Sequence, residues 1–166
     1  LSDIKNLVLP ATTLSNYCYC RMFFGCSSLT SLPETLLQAT TLTKGCYSHM
    51  FNGCSSLTSL PDTLLPATTL AESCYSYMFN GCGLSSLPDT LLPATILASK
   101  CYLGMFENCC TLYDLSDFVL PATTLADYCY AVMFAYCTSL FYIPELPATT
   151  LAPHCYEGMF RNSQEF

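Results

Sequence analysis

The block Cys-Tyr-x-x-Met-Phe occurs six times, beginning at Cys18, Cys46, Cys74, Cys101, Cys129 and Cys155, at intervals of 28, 28, 27, 28 and 26 residues. A second cysteine follows eight positions later in five copies, as Cys26, Cys54, Cys82, Cys109 and Cys137; the sixth has Ser163 there. A pair of apolar residues three apart completes the unit: Leu1/Ile4, Leu29/Leu32, Leu57/Leu60, Leu84/Leu87, Leu112/Leu115 and Leu140/Ile143. Cut before each pair, the chain divides into coils 1–28, 29–56, 57–83, 84–111, 112–139 and 140–166. A supersecondary unit repeated at this period cannot bury its apolar face alone and must stack on its neighbours.

Each coil reads as a short parallel strand, a turn and a return segment. Leu57-Thr-Ser-Leu60-Pro61 is leucine-rich and ends in proline, and Pro61-Asp62-Thr63 suits a turn. Leu64 to Thr68 suits a second extended piece. Thr69-Leu-Ala-Glu72 matches a capping box, which predicts a short helix or a 3₁₀ turn through Phe79. Leu70, Cys74 and Met78 lie four apart and would share its inner face. The expectation is an α/β repeat solenoid of the leucine-rich-repeat kind, with one domain over 1–166 drawn from a longer array.

Eleven of the thirteen cysteines fall in the two columns. That placement predicts small inward side chains with free thiols rather than a disulfide framework. If helical, the two cysteines of a coil lie about 12 Å apart, beyond disulfide reach. Cys20 and Cys110 stand outside the columns and are the candidates for reactivity. There is no C-x-x-C, and His49 and His154 sit more than three coils apart, which argues against zinc.

Other chemistry is thin. A formal charge of −7 disfavours a phosphate backbone, so no nucleic-acid partner is expected. The longest apolar run, Tyr128 to Cys137, is half the length of a membrane span. Glu34, Asp62, Asp89, Asp117 and Glu145 share one coil position after Asn6. They read as turn carboxylates, with Asp62, Asp89 and Asp117 the candidates for a calcium ladder. His49 lies between Cys46 and Cys54, yet the same slot holds Arg21, Tyr77, Gly104, Val132 or Gly158 in other coils. No enzyme and no cofactor are expected.

The string Phe-x-x-Cys-x-x-Leu-x-x-Leu-Pro, complete as Phe23 to Pro33 and Phe51 to Pro61, resembles the BspA-type leucine-rich repeat of bacterial surface proteins. The resemblance extends, with substitutions, along the whole chain. It implies an adhesion or protein-binding module, extracellular or at the cell surface.

The residues between the paired apolar positions are the candidate contact surface. They are Ser2-Asp3, Thr30-Ser31, Thr58-Ser59 and Ser85-Ser86 in the first four coils, then Tyr113-Asp114 and Phe141-Tyr142. Aromatic residues gathered on one exposed face mark an interaction surface. Tyr113, Asp114, Phe141 and Tyr142 are therefore expected to bind protein or glycan through a strand face. The alternative is a structural spacer, or a subunit packed against neighbouring chains or domains at its ends.

Overall fold

The computed structural model describes residues 1–163, so the last three positions of the expected sixth coil lie outside the described residues. Within them there is no helix and no sheet; pairing of strand type is confined to isolated parallel bridges such as Leu9 to Leu37 and Asp114 to Tyr142. The expected α/β leucine-rich-repeat solenoid is therefore corrected. The chain piles up in coils made of turns.

The return segment shows why. From Tyr17 to Cys26 the N–H groups alternate in destination. Cys18, Cys20, Met22, Phe24 and Cys26 donate three residues back, to Ser15, Tyr17, Tyr19, Arg21 and Phe23. Tyr17, Tyr19, Arg21, Phe23 and Gly25 donate across to Lys44, Cys46, Ser48, Met50 and Asn52 in the next coil. A helix would send every N–H back along the chain. Here half the donors leave it.

Backbone conformation enforces this alternation. Every fourth residue of the segment has positive φ: Tyr17, Arg21 and Gly25, then Gly45, His49 and Gly53, and so on to His154, Gly158 and Asn162. A left-handed residue at that frequency interrupts a right-handed helix each turn. The capping-box helix expected from Thr69 is thus replaced by linked four-residue turns. A four-residue turn unit also repeats Leu70, Cys74 and Met78 on one side, which is how it counterfeits a helical face.

The core lies between stacked coils. Tyr19, Tyr47, Tyr75, Tyr102, Tyr130 and Tyr156 form one column, with neighbouring ring centroids 5.7–5.9 Å apart. Phe23, Phe51, Phe79, Phe106, Phe134 and Phe160 form another at 5.3–5.9 Å. The inner methionines Met50, Met78, Met105 and Met133 are completely buried.

All thirteen cysteines are free thiols. Nine of the eleven column cysteines are buried: Cys46, Cys74, Cys101, Cys129, Cys155, Cys54, Cys82, Cys109 and Cys137. In the first coil Cys18 is exposed and Cys26 half-buried. The second column has a specific bond: Cys54, Cys82, Cys109 and Cys137 each donate S–H to the carbonyl of Phe23, Phe51, Phe79 or Phe106 in the preceding coil.

The turn after the leucine pair varies between coils. In the second to fourth coils, where proline follows, the next bond runs from Leu36, Leu64 or Leu91 back to Pro33, Pro61 or Pro88; in the sixth, Pro147 stands at the donor position and has no N–H to give. Where Lys5 or Ser116 stands instead, it comes one residue earlier, from Leu7 to Ile4 and from Phe118 to Leu115. The inward side chain shifts with it, so Phe118 packs edge-on against Phe106 and Phe134 while Val8 and Val119 turn outward.

Candidate functional site

Tyr113, Phe141 and Tyr142 come together on the outer face where the fifth and sixth coils meet. Phe141 and Tyr142 donate their N–H groups to the Tyr113 carbonyl at 2.8 and 3.2 Å, and Leu115 donates to the Tyr142 carbonyl at 2.9 Å. The ladder fixes the backbone under the rings. Tyr113 lies nearly parallel to Phe141 at 5.9 Å, and Tyr142 stands edge-on to Phe141 at 4.8 Å. All three rings remain about half exposed, at 53%, 52% and 47%.

Corresponding positions in the second to fourth coils are exposed serine and threonine, so the aromatic character belongs to this end alone. Ile143 enlarges the patch. Its counterparts Leu32, Leu60, Leu87 and Leu115 are buried, yet Ile143 is 55% exposed. This corrects its expected place as the inward partner of Leu140. The sixth coil is shorter by two residues between its leucine and its first cysteine, 15 positions against 17, which leaves too little chain to repeat the inner course.

That same shortening uncovers the turn of the fifth coil. An open cleft of about 290 Å³ results, lined by Ser116, Asp117, Val119, Leu120, Glu145 and Pro147 among others. Nothing in the sequence period announces this cleft; the signal is the deletion itself. Asp117 and Glu145, two members of the expected carboxylate column, lie on its wall. Glu34, Asp62 and Asp89 are exposed in the other coils. Among the described residues no three His, Cys, Asp or Glu side chains are placed to hold a metal ion.

Asp114 has a different job from the rings beside it. Its carboxylate accepts the N–H of Ser116 at 2.9 Å and the Ser116 hydroxyl at 2.7 Å. The backbone N–H bond from Ser116 is the main reason its carboxyl titrates below the usual range. Asp3 caps Lys5 N–H in the same way in the first coil, at 2.7 Å. Both aspartates occur where the proline of the other coils is missing, and proline has no N–H to cap.

His49 does not meet the thiols of its coil in a hydrogen bond. Its Nδ1 lies 2.8 Å from Ser48 Oγ, whose hydroxyl also donates to the Ser76 carbonyl at 3.2 Å. Its ring stacks on Tyr77. Burial, with Arg21 nearby, holds the imidazole below its ordinary pKa. Burial also pushes the thiols of Cys46 and Cys54 up to about 11, away from nucleophilic character. His154 lies at the other end, stacked on Tyr128 and paired with Glu157 at 2.5 Å. Cys110 is exposed, its S–H directed at the carbonyls of Asn108 and Tyr136, and Cys20 is half-buried.

Among the described residues no helix is long and apolar enough to cross a membrane. The chain matches no protein-family model, no curated protein and no solved structure.

Proposed function

We propose that the chain is a non-catalytic recognition module, displayed outside the cell, that holds a protein or glycan on the platform of Tyr113, Phe141 and Tyr142. One observation carries this reading: three rings braced against each other and half exposed, in columns that are otherwise serine, threonine and aspartate. Rings packed this way lose little side-chain freedom when a partner covers them, so the apolar area they bury is retained as affinity. Exposed Ile143 extends the platform toward the cleft, and the carboxylates of Asp117 and Glu145 supply acceptors there. The adhesive role implied by the BspA-type resemblance moves from a strand face to this corner of the pile.

The test is the triple variant Tyr113→Ser, Phe141→Ser, Tyr142→Ser, compared with the parent on a glycan array and in pull-downs from intact cell surfaces. Ligands retained by the parent should be lost by at least tenfold in the variant. Alkylation of native protein should show the buried thiols equally protected in both. Unchanged retention by a folded variant overturns the reading.

A further inference from the structure

The charges of the chain are sorted between two sides of the pile. Four of the five basic side chains, Arg21, Lys44, Lys100 and Arg161, lie in or beside the return segments. Each is engaged there: Lys44 pairs with Glu72 at 2.9 Å, and Arg21, Lys100 and Arg161 lie over the rings of Phe24, Tyr128 and Tyr136 at 5.6–5.8 Å. The fifth, Lys5, meets Asp3 in the first coil at 3.4 Å. From the second coil onward, the positions between the paired apolar residues and the turn that follows them hold no Lys, Arg or His. They hold six of the twelve acidic residues: Glu34, Asp62, Asp89, Asp114, Asp117 and Glu145. All six are exposed, and none has a basic partner at ion-pair distance among the described residues.

The aromatic platform belongs to this acidic side. Asp114 and Tyr142 face each other in a parallel bridge, which sets their side chains next to each other on one face. Both Ser116 bonds reach Asp114 through Oδ1, so Oδ2 has no partner among the described residues. Asp117 and Glu145 stand three residues beyond Asp114 and Tyr142, and three residues span at most about 11 Å. Carboxylates and ring faces therefore share one surface. Its exposure follows from the direction of the columns: Thr30, Ser31, Thr58, Ser59, Ser85 and Ser86, in coils with neighbours on both sides, are exposed as well.

Resting on the platform as the recognition site, we propose that its partner is a protein segment carrying arginine, whose guanidinium lies on the exposed faces of the platform rings and meets the carboxylates beside them. An aromatic ring offers a cation its negative face, and guanidinium is the cation that both stacks on rings and forks onto carboxylates. The chain makes the first of these contacts within itself, with Arg161 over Tyr136 and Arg21 over Phe24. Carboxylates that recur once per coil, at the parallel-chain spacing of about 4.8 Å, repel one another, and a cationic partner relieves that repulsion. A neutral sugar can use the rings but leaves the carboxylates unpaired, and an acidic sugar is repelled. The net charge of −7 draws basic segments toward the molecule before contact.

The experiment uses the 166-residue chain and a labelled peptide of alternating arginine and glycine, with lysine, glutamine and glutamate versions of the same length. Fluorescence anisotropy should show the arginine peptide bound most tightly, the lysine peptide more weakly, and the other two not at all. Raising the ionic strength from about 0.01 to about 0.15 M shortens the screening length from about 30 to about 8 Å and should weaken arginine binding about tenfold. At the higher ionic strength the double variant Asp117→Asn, Glu145→Gln and the triple serine variant of the platform should each lose about tenfold more. Glu34→Gln with Asp62→Asn, on the same column but two or more coils away, should change binding less than about threefold. Protection of Cys82 and Cys109 from alkylation reports that every variant is folded. Equal binding of the glutamine or lysine peptide, no binding of the arginine peptide, or binding that survives either platform-side variant overturns the proposal, as does an equal loss from the distant pair. Cell-surface or glycan ligands that the triple serine variant still retains overturn the platform itself, independently of charge.

Discussion

The second cysteine of each coil acts as a hydrogen-bond donor as well as a small filler. Cys109 gives its S–H to the Phe79 carbonyl at 3.2 Å while lying fully buried. The terminal coil shows that the donor matters, because Ser163 takes the position with an O–H bonded to the Phe134 carbonyl at 2.5 Å. Cys109→Ser should therefore stay within about 1 kcal/mol of the parent, since a typical net hydrogen bond is of that size and is kept. Cys109→Ala loses the bond and leaves a void, and should cost about 2 kcal/mol. Denaturant midpoints of the two variants check the order. Equal loss in both would show that only volume counts at this column. The sequence exposes the column through its period, and Ser163 is the clue to its chemistry, since serine and cysteine share a donor.

At the scale of the element, the four-residue turn governs which residues are strained. Glycine fills some of the left-handed positions, but Val132 occupies one at φ 46°, in the same column as Gly104 and Gly158. A branched residue is among the worst suited to that region. Val132→Gly should raise stability by about 1 kcal/mol, the approximate left-handed penalty for a residue with a Cβ. The reverse change, Gly104→Val, should lower it, because a Cβ there meets the Tyr77 ring as well as the positive φ. Thermal unfolding of the pair tests the turn unit directly; destabilisation by Val132→Gly would argue against it. These positions also explain what the sequence conceals. The four-residue spacing of Leu70, Cys74 and Met78 fits a helix and a chain of turns equally well. The discriminating signal is Gly45 with Gly53, and Gly104 and Gly158 inside the Cys-Tyr-x-x-Met-Phe block, where a helix former would be expected. The rings of the candidate site are legible as aromatic residues in polar columns. Asp114 is not legible beside them, because its role depends on the missing proline two residues later.

Across the whole molecule, burial of so many thiols ties stability to alkaline pH. Burial is the largest cause that lifts Cys46, Cys54 and Cys129 from an ordinary value of 9.0 to about 11, and Cys74 and Cys137 to about 12. Burial also raises the phenols of Tyr75 and Tyr102 well above their usual value. A group whose folded pKa is raised stabilises the fold fully below its unfolded pKa. That contribution is lost as pH rises through the window between the two, here from 9 to about 11 or 12. A tenfold suppression of ionisation corresponds to about 1.4 kcal/mol. A few thiols whose ionisation is suppressed about a hundredfold therefore match the roughly 5–15 kcal/mol by which a typical domain is stable. The denaturant midpoint should be level between about pH 6 and 8. It should then fall steeply above about pH 9, with spontaneous unfolding near pH 10–11 that circular dichroism would follow. Native alkylation at neutral pH should reach Cys18, Cys20, Cys26 and Cys110 and spare the buried columns, until the same alkaline transition releases them together. A midpoint unchanged to about pH 11 would mean that the thiols ionise without leaving the core, which a pile closed by stacked rings and sulfur does not allow.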